Sequence, residues 1–168
     1  MTYRIEHISE QYIPGFHAAV DAVAREKQFL AFTAAPPQEE TRRFVEGNLE
    51  NGNPQFVVLH EERVVGFCDV VRMRMDALRH GGVIGIGLLP EWRGRGIGRK
   101  LMTHTINAAW AAGFTRIELD VLQNNQRGMR LYESLGFRHE GRRVAAICID
   151  GQYQDSLVMA LLHPDMAQ

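Results

Sequence analysis

The chain has 168 residues, of which 45% are hydrophobic and 23% charged, and its net charge at pH 7 is −1. This composition is typical of one soluble globular domain, which we expect to span residues 1–168, and it argues against a disordered chain. Because the charge is nearly balanced, we expect neither nucleic acid nor a membrane surface as a partner, and any anion site must be local.

The cysteines, the histidines and the start of the chain indicate a cytoplasmic protein without a metal. Cys68 and Cys148 each lie in an apolar run and lack C-x-x-C spacing, so we expect two buried, reduced thiols. The N-terminal stretch has no long apolar core of the kind found in signal peptides, and no apolar run is long enough to span a bilayer. The seven histidines are scattered without metal-ligand spacing.

The periodicity of apolar residues and the positions of glycine and proline predict seven strands and four helical regions. The predicted strands are residues 2–8, 55–60, 63–73, 83–89, 115–122, 143–149 and 153–162. The predicted helices are residues from about 11 to 32, which form one helix or two short ones, then 38–49, 97 to about 112, and 125–135. This order predicts an α/β fold with a mixed, mostly antiparallel sheet flanked by helices.

Two glycines, Gly85 and Gly87, interrupt the predicted strand at residues 83–89. Glycine inside a strand indicates either a β-bulge or the close approach of another backbone or a ligand. Tight packing against a helix would account for them as well.

The segment LLPEWRGRGIGRKLM at residues 88–102 leaves this strand and enters the next helix. It holds glycines at alternate positions and several cations, namely Arg93, Gly94, Arg95, Gly96, Gly98, Arg99 and Lys100. Glycine lets backbone N–H groups converge, and the first turn of a helix adds unpaired N–H groups and partial positive charge. The pattern therefore predicts a cradle for a phosphate or pyrophosphate group.

The same segment is also compatible with a flexible basic turn or with a dinucleotide-binding turn. The glycines are spaced as G-x-G-x-G and do not match the G-x-G-x-x-G pattern of dinucleotide-binding folds, which disfavours that interpretation. No G-K-[ST] follows, so a Walker loop is excluded.

Arg93 to Gly98 resembles the R/Q-x-x-G-x-G/A signature of the GNAT family of N-acetyltransferases. The segment LDVLQNNQRGMRLYESLGF at residues 119–137 resembles the second block of the same family. The order of elements agrees over nearly the whole chain, and the ending GQYQDSLVMALL resembles a subset that acetylates free amino acids, polyamines or protein N-termini.

The resemblance implies an enzyme that uses acetyl-CoA. It implies that the strand before the glycine-rich segment separates from its neighbour and that the pantetheine arm lies in the gap, while backbone N–H groups of residues 94–99 bind the pyrophosphate. Asn125 would contact the arm, although an N-cap role would also account for it. The implied cofactor-binding residues are Ile86, Gly87, Leu88, Arg93, Gly94, Arg95, Gly96, Ile97, Gly98, Arg99 and Asn125.

The resemblance also implies two catalytic residues. Tyr132 matches the tyrosine that protonates the leaving thiolate, although the pattern alone favours a core tyrosine on an amphipathic helix. Asp120 matches a glutamate that some members use as general base, and Asp155, Asp69 or a water molecule are further candidates.

The expected function is direct transfer of acetyl to a primary amine of a small molecule, an amino acid or similar, in a ternary complex. A protein N-terminal acetyltransferase and a non-catalytic acyl-CoA sensor are the alternatives, and a homodimer is possible. The acceptor pocket would be formed by the first helices and the final hairpin. Phe29, Phe32 and Tyr153 would line it unless they are ordinary core aromatics.

Overall fold

The computed structural model of the protein describes residues 2–166, and its seven strands form one sheet. The strands are β1 (Arg4–His7), β2 (Gln55–His60), β3 (Arg63–Arg72), β4 (Gly81–Leu88), β5 (Arg116–Leu122), β6 (Arg138–Ile149) and β7 (Gln152–Leu162). The α-helices are α1 (Ile13–Arg25), α2 (Gln38–Glu50), α3 (Ile97–Ala111) and α4 (Gln126–Ser134).

The strand order in the sheet is β1-β2-β3-β4-β5-β7-β6. Every neighbouring pair is antiparallel except β4 and β5, which are parallel and are connected through α3. This arrangement confirms the predicted α/β fold with a mixed, mostly antiparallel sheet of seven strands.

Helices cover both faces of the sheet. Adjacent residues of a strand point to opposite faces, and two neighbours on β3 show which helices lie on each side. On β3, Phe67 packs edge-on against Phe16 of α1, with ring centroids 5.3 Å apart. The next residue, Cys68, faces α3, where its thiol interacts with Thr105. We call the side covered by α1 and α2 the first face and the side covered by α3 and α4 the second face.

The strands β4 and β5 are paired only at their beginnings. Gly81, Gly82 and Val83 pair with Arg116, Ile117 and Glu118, and beyond these residues the two strands part. The predicted separation of the strand before the glycine-rich segment is therefore present.

The β-bulge suggested by Gly85 and Gly87 is not present, because β4 pairs with β3 in continuous register from Gly82 to Leu88. The ring of Phe67 accounts for Gly87 instead, since a Cβ at this position would lie 2.3 Å from Phe67 Cζ. The close neighbour is thus an aromatic side chain from the adjacent strand, and not a helix.

Two predicted boundaries are wrong for physical reasons. The first helix ends at Arg25 and not near residue 32, since Lys27 adopts a left-handed conformation with φ 55°. Residues 26–37 form a loop, and its Phe29, Leu30 and Ala35 pack against the core. The strand β6 begins at Arg138 and not at 143, because most of this edge strand is exposed and so lacks apolar alternation.

The two cysteines differ in burial. Cys68 is fully buried in β3, but Cys148 is exposed on β6, so the prediction of a second buried thiol is wrong. Among residues 2–166, none of the helices has the length and hydropathy needed to cross a bilayer.

Candidate active site

A cleft of about 400 Å³ lies on the open side of β4, next to the start of α3. Ten of the thirteen predicted site residues line it, and the remaining three are Arg95, Ile97 and Asp120. The lining residues are Val23, Phe29, Ile86, Gly87, Leu88, Arg93, Gly94, Gly96, Gly98, Arg99, Asn125, Arg127, Gly128, Leu131 and Tyr132.

The turn before α3 presents backbone N–H groups to this cleft. Gly94 and Gly96 adopt positive φ angles of 77° and 76°, which glycine tolerates and non-glycine residues rarely adopt. Gly96 is the N-cap of α3 and offers no side-chain hydrogen bond to the first N–H groups. These N–H groups are therefore available to a ligand.

The charges at the start of α3 are the reverse of those that a helix N-terminus prefers. The first turn of α3 contains no acidic residue, whereas Arg99 and Lys100 lie at its beginning. The first turn of α2, by contrast, carries Glu39 and Glu40. The helix dipole disfavours cations at this end. The presence of Arg99 and Lys100 therefore fits an anion site, because a bound anion would offset both the cations and the positive end of the helix.

A second helix contributes a cation that the sequence motifs do not predict. Arg127 Nη2 lies 2.7 Å from the position that a Cβ of Gly94 would occupy, so the guanidinium covers the turn. Arg99 also lines the cleft and donates through Nη2 to Ser134 Oγ at 2.5 Å. Arg127 is the second residue of α4, and only the tertiary fold brings it to the glycine-rich turn.

Arg93 and Arg95 have internal partners. The Arg93 guanidinium donates to Glu26 Oε2 at 2.8 Å and lies 4.7 Å from the ring centre of Phe29. These contacts join the end of α1 to the glycine-rich turn. Arg95 Nε donates to the Glu91 carbonyl at 3.1 Å, and Ile97 is buried in the core.

Two residues of the second block lie where α4 meets the cleft. The Asn125 side chain accepts a hydrogen bond from the Gly128 N–H at 2.9 Å, so it is the N-cap of α4 while also lining the cleft. Tyr132 lies on the second face of the sheet, and burial raises its pKa to about 12. Its phenol therefore keeps its proton at neutral pH.

Asp120 lies on the first face, outside this cleft. It faces the same side as Glu118, which pairs with Val83. Its carboxylate accepts from Arg143 Nη1 at 3.0 Å and from Ser156 Oγ at 3.2 Å.

A second cavity of about 490 Å³ lies on the first face, between α1, α2 and the β3–β4 hairpin. Its lining is mostly aromatic and aliphatic and does not include Asp120, while Ile86 lines both cavities. The lining residues are Phe16, Val20, Leu30, Phe32, Pro36, Glu40, Thr41, Phe44, Phe67, Asp69, Val71, Val83, Ile84, Gly85 and Ile86.

Asp69 is the buried acid of this second cavity, with only 8% of its surface exposed. Within residues 2–166 its carboxylate has no hydrogen-bonding or ion-pair partner. Burial raises its pKa to about 7. The family resemblance favours Asp120 over Asp69, although an acid inside the apolar strand VVGFCDVV is a visible sign of an unusual environment.

The remaining residues predicted for the acceptor pocket are dispersed. Phe32 lines the second cavity, but Phe29 lines the first cleft and Tyr153 is exposed on β7. Asp155 accepts from the Ala145 N–H at 2.7 Å and pairs with Arg142, and these contacts lower its pKa. Over residues 2–166, no three His, Cys, Asp or Glu side chains are grouped so as to hold a metal ion.

Known proteins are similar to this chain in sequence and in fold. The model of the acetyltransferase (GNAT) family matches residues 20–137. An uncharacterized N-acetyltransferase of Mycobacterium bovis is 31% identical over 132 residues, which cover 73% of this chain and 83% of that protein. The spermidine N(1)-acetyltransferase of Vibrio cholerae is 27% identical over 115 residues, which cover 67% of this chain and 65% of that protein.

Solved structures show the same fold at lower identity. The protein yncA of Salmonella typhimurium, whose structure contains its cofactor acetyl-CoA, superposes with a TM-score of 0.92 at 19% identity, covering 100% of this chain and 98% of that one. The family match confirms the family and the enzyme class that the two sequence blocks predict. The chain belongs to the acetyltransferase (GNAT) family.

Proposed function

We propose that the protein is an acetyl-CoA-dependent N-acetyltransferase that transfers the acetyl group to a primary amine of a small molecule. One observation carries this proposal: an uncapped, cation-bearing helix start opens into the cleft between two parted strands, with Tyr132 in the wall of the same cleft. A separate cavity of about 490 Å³ on the opposite face offers room for a small acceptor.

The residues of the first cleft suit the different parts of acetyl-CoA. The N–H groups of residues 94–99, with Arg99 and Arg127, would hold the pyrophosphate. Ile86, Gly87 and Leu88 lie beyond the last β4–β5 pair, so their backbone groups on that side are available to the amide-rich arm. Bound acetyl-CoA would supply the thioester carbon that the amine attacks.

The side chains of the protein would move two protons. Tyr132 would donate its phenolic proton to the departing sulfur, as its raised pKa keeps that proton in place. A carboxylate on the first face, Asp120 or Asp69, would accept a proton from the incoming ammonium group. Alignment of both substrates in one slot can contribute about 7–11 kcal/mol to the acceleration, so no covalent acyl-enzyme is required.

The test is acetyl-CoA binding by calorimetry, together with thiol release over a panel of amines, on the wild type and on Gly96→Val. Valine at φ 76° strains the turn and misdirects its N–H groups, so we expect acetyl-CoA affinity to fall by at least about 100-fold. Gly113→Val is the matched control, because Gly113 has φ 83° and a free Cβ direction but lies at the far end of α3. It should bind acetyl-CoA like the wild type.

Equal affinities for the two valine variants would contradict the cradle. Tight binding of acetyl-CoA by the wild type without turnover of any amine would instead indicate an acyl-CoA sensor.

A further inference from the structure

The second cavity indicates which amine the protein accepts. Resting on the N-acetyltransferase function proposed above, we infer that this cavity binds an apolar primary amine that lacks a carboxylate, and that Asp69 holds its ammonium group and takes its proton.

The environment of Asp69 is that of a carboxylate without its counter-ion. A buried acid is normally hydrogen-bonded or paired, because an isolated buried charge is costly. Asp69 is 8% exposed, and no described residue pairs with it. A Cβ at Gly85 would lie 3.7 Å from Asp69 Oδ1, so the glycine leaves the carboxylate accessible from the cavity. An ammonium group entering the cavity would supply the missing partner.

The rest of the lining excludes acceptors that carry a carboxylate. None of the described residues around the cavity is lysine, arginine or histidine. Its second ionisable group is Glu40, an exposed acid of α2. The carboxylate of a free amino acid would thus be buried beside Asp69 without a cation, which costs several kcal/mol.

The apolar surface favours an aromatic or branched aliphatic amine over a polyamine. The aromatic side chains of Phe16, Phe44 and Phe67 line the cavity. Phe16 and Phe67 already contact each other edge-on, with ring centroids 5.3 Å apart. An aromatic ring of the acceptor would extend this cluster. A polyamine would leave its remaining charges against these rings, with Glu40 as the single further acid in the described lining.

The position of Asp69 along β3 places it beside the opening of the sheet. Asp69 pairs with Gly85, and the last β4–β5 pair, formed by Val83 and Glu118, lies just before it. Asp69 belongs to the first face, whereas Tyr132 belongs to the second. A thioester bound in the gap between β4 and β5 would therefore lie between the proton acceptor and the proton donor.

The transfer conserves atoms and charge. The ammonium group gives one proton to the Asp69 carboxylate, and the freed nitrogen lone pair forms the C–N bond with the thioester carbon. The C–S bond then breaks with its electron pair on sulfur, which takes the proton of Tyr132. The nitrogen loses its second proton, which restores the phenol. The products are the amide, the thiol of coenzyme A and one proton that Asp69 releases to solvent.

The first test compares two amines on the wild-type protein with saturating acetyl-CoA. 2-Phenylethylamine and L-phenylalanine share the ring and the amine and differ only by the carboxylate. We expect kcat/KM for thiol release to be higher for 2-phenylethylamine by about 100-fold or more. Spermidine, the third probe, should also be a poor acceptor.

The second test is Asp69→Asn, which keeps the shape of the side chain and removes its ability to accept a proton. We expect turnover of 2-phenylethylamine to fall by about 10²- to 10⁴-fold with acetyl-CoA affinity unchanged. In the wild type, kcat/KM should rise with pH to a plateau above the Asp69 pKa of about 7. Two other ionisable groups lie near Asp69. Glu40 lines the same cavity, whereas the thiol of Cys68 points to the opposite face and its pKa is raised by burial.

Asp120→Asn is the comparison that separates the two candidate bases. If Asp69 takes the proton, the rising limb of the pH profile persists in Asp120→Asn and disappears in Asp69→Asn. The reverse result overturns the role of Asp69. Turnover of phenylalanine or spermidine but not of 2-phenylethylamine overturns the acceptor class while the N-acetyltransferase function stands. Failure to bind acetyl-CoA or to turn over any amine contradicts the proposed function itself.

Discussion

At the scale of single residues, burial shifts two acidic groups in the same direction with different chemical results. It raises the pKa of Tyr132 to about 12, so the phenol stays protonated over the whole neutral range. It raises the pKa of Asp69 to about 7, so this carboxyl group exchanges its proton near neutrality. A donor that keeps its proton and an acceptor poised near the working pH suit acid–base catalysis.

Replacement of the phenol tests the donor directly. Tyr132→Phe keeps the ring, which packs near Phe137 with centroids 6.1 Å apart, and removes the hydroxyl. We expect kcat to fall by about 10²- to 10⁴-fold while calorimetric affinity for acetyl-CoA is retained. A variant with wild-type kcat would show that sulfur takes its proton from elsewhere.

The sequence predicts the residues that belong to contiguous motifs and misses those that depend on tertiary contacts. Tyr132, Asn125 and the glycines of the turn follow from spacing and family resemblance. Arg127 does not, and Asp69 is predicted only as one of several candidate bases, because both residues reach their cavities only when α4 and β3 are packed in place. Nor does the spacing reveal that Arg93 pairs with Glu26, which lies far away along the chain.

At the scale of elements, β4 is shaped by its neighbours on both sides. Towards β3 it keeps full register and fits its glycines around the side chains of that strand. Towards β5 it pairs for three residues and then leaves a gap. Periodicity predicts that the strand exists, but the reason for each glycine is visible only when the partner strand is known.

Gly87→Ala measures how tightly β4 fits against β3. The new Cβ would lie 2.3 Å from the ring of Phe67, which is 5% exposed and has little room to move. We expect the free energy of unfolding to fall by about 1–3 kcal/mol in chemical denaturation. Gly47→Ala is the control, since its Cβ meets nothing within 4 Å on helix α2 and it should stabilise by up to about 1 kcal/mol. Equal stability of both variants would contradict the contact with Phe67.

At the scale of the whole molecule, the burial of Asp69 affects the stability of the fold. In the unfolded chain an aspartate has a pKa of about 3.9, whereas in the folded protein the pKa of Asp69 is about 7. Between these values the folded state binds more protons than the unfolded state, so stability falls as pH rises. This trend is opposite to that of Asp155, whose lowered pKa stabilises the fold above about pH 4.

Asp69→Asn should remove this dependence on pH. We expect the wild type to lose stability from pH 5 to about pH 7 relative to the variant and to change little above that range. Denaturation by urea at several pH values measures the difference, and subtracting the two curves cancels the groups that both proteins share. Parallel curves would mean that Asp69 is not buried as a neutral acid.

The sheet separates the first cleft from the second cavity, and the gap between β4 and β5 also connects them. The residues proposed to bind the coenzyme line the first cleft, those proposed to select the amine line the second cavity, and Ile86 lines both. Changes in α2 can therefore alter the choice of acceptor without disturbing the binding of the acetyl donor, whereas α1 and the loop at residues 26–37 also line the first cleft through Val23 and Phe29. Sequence changes during evolution would therefore disturb acetyl-donor binding least where they fall on the α2 side of the second cavity.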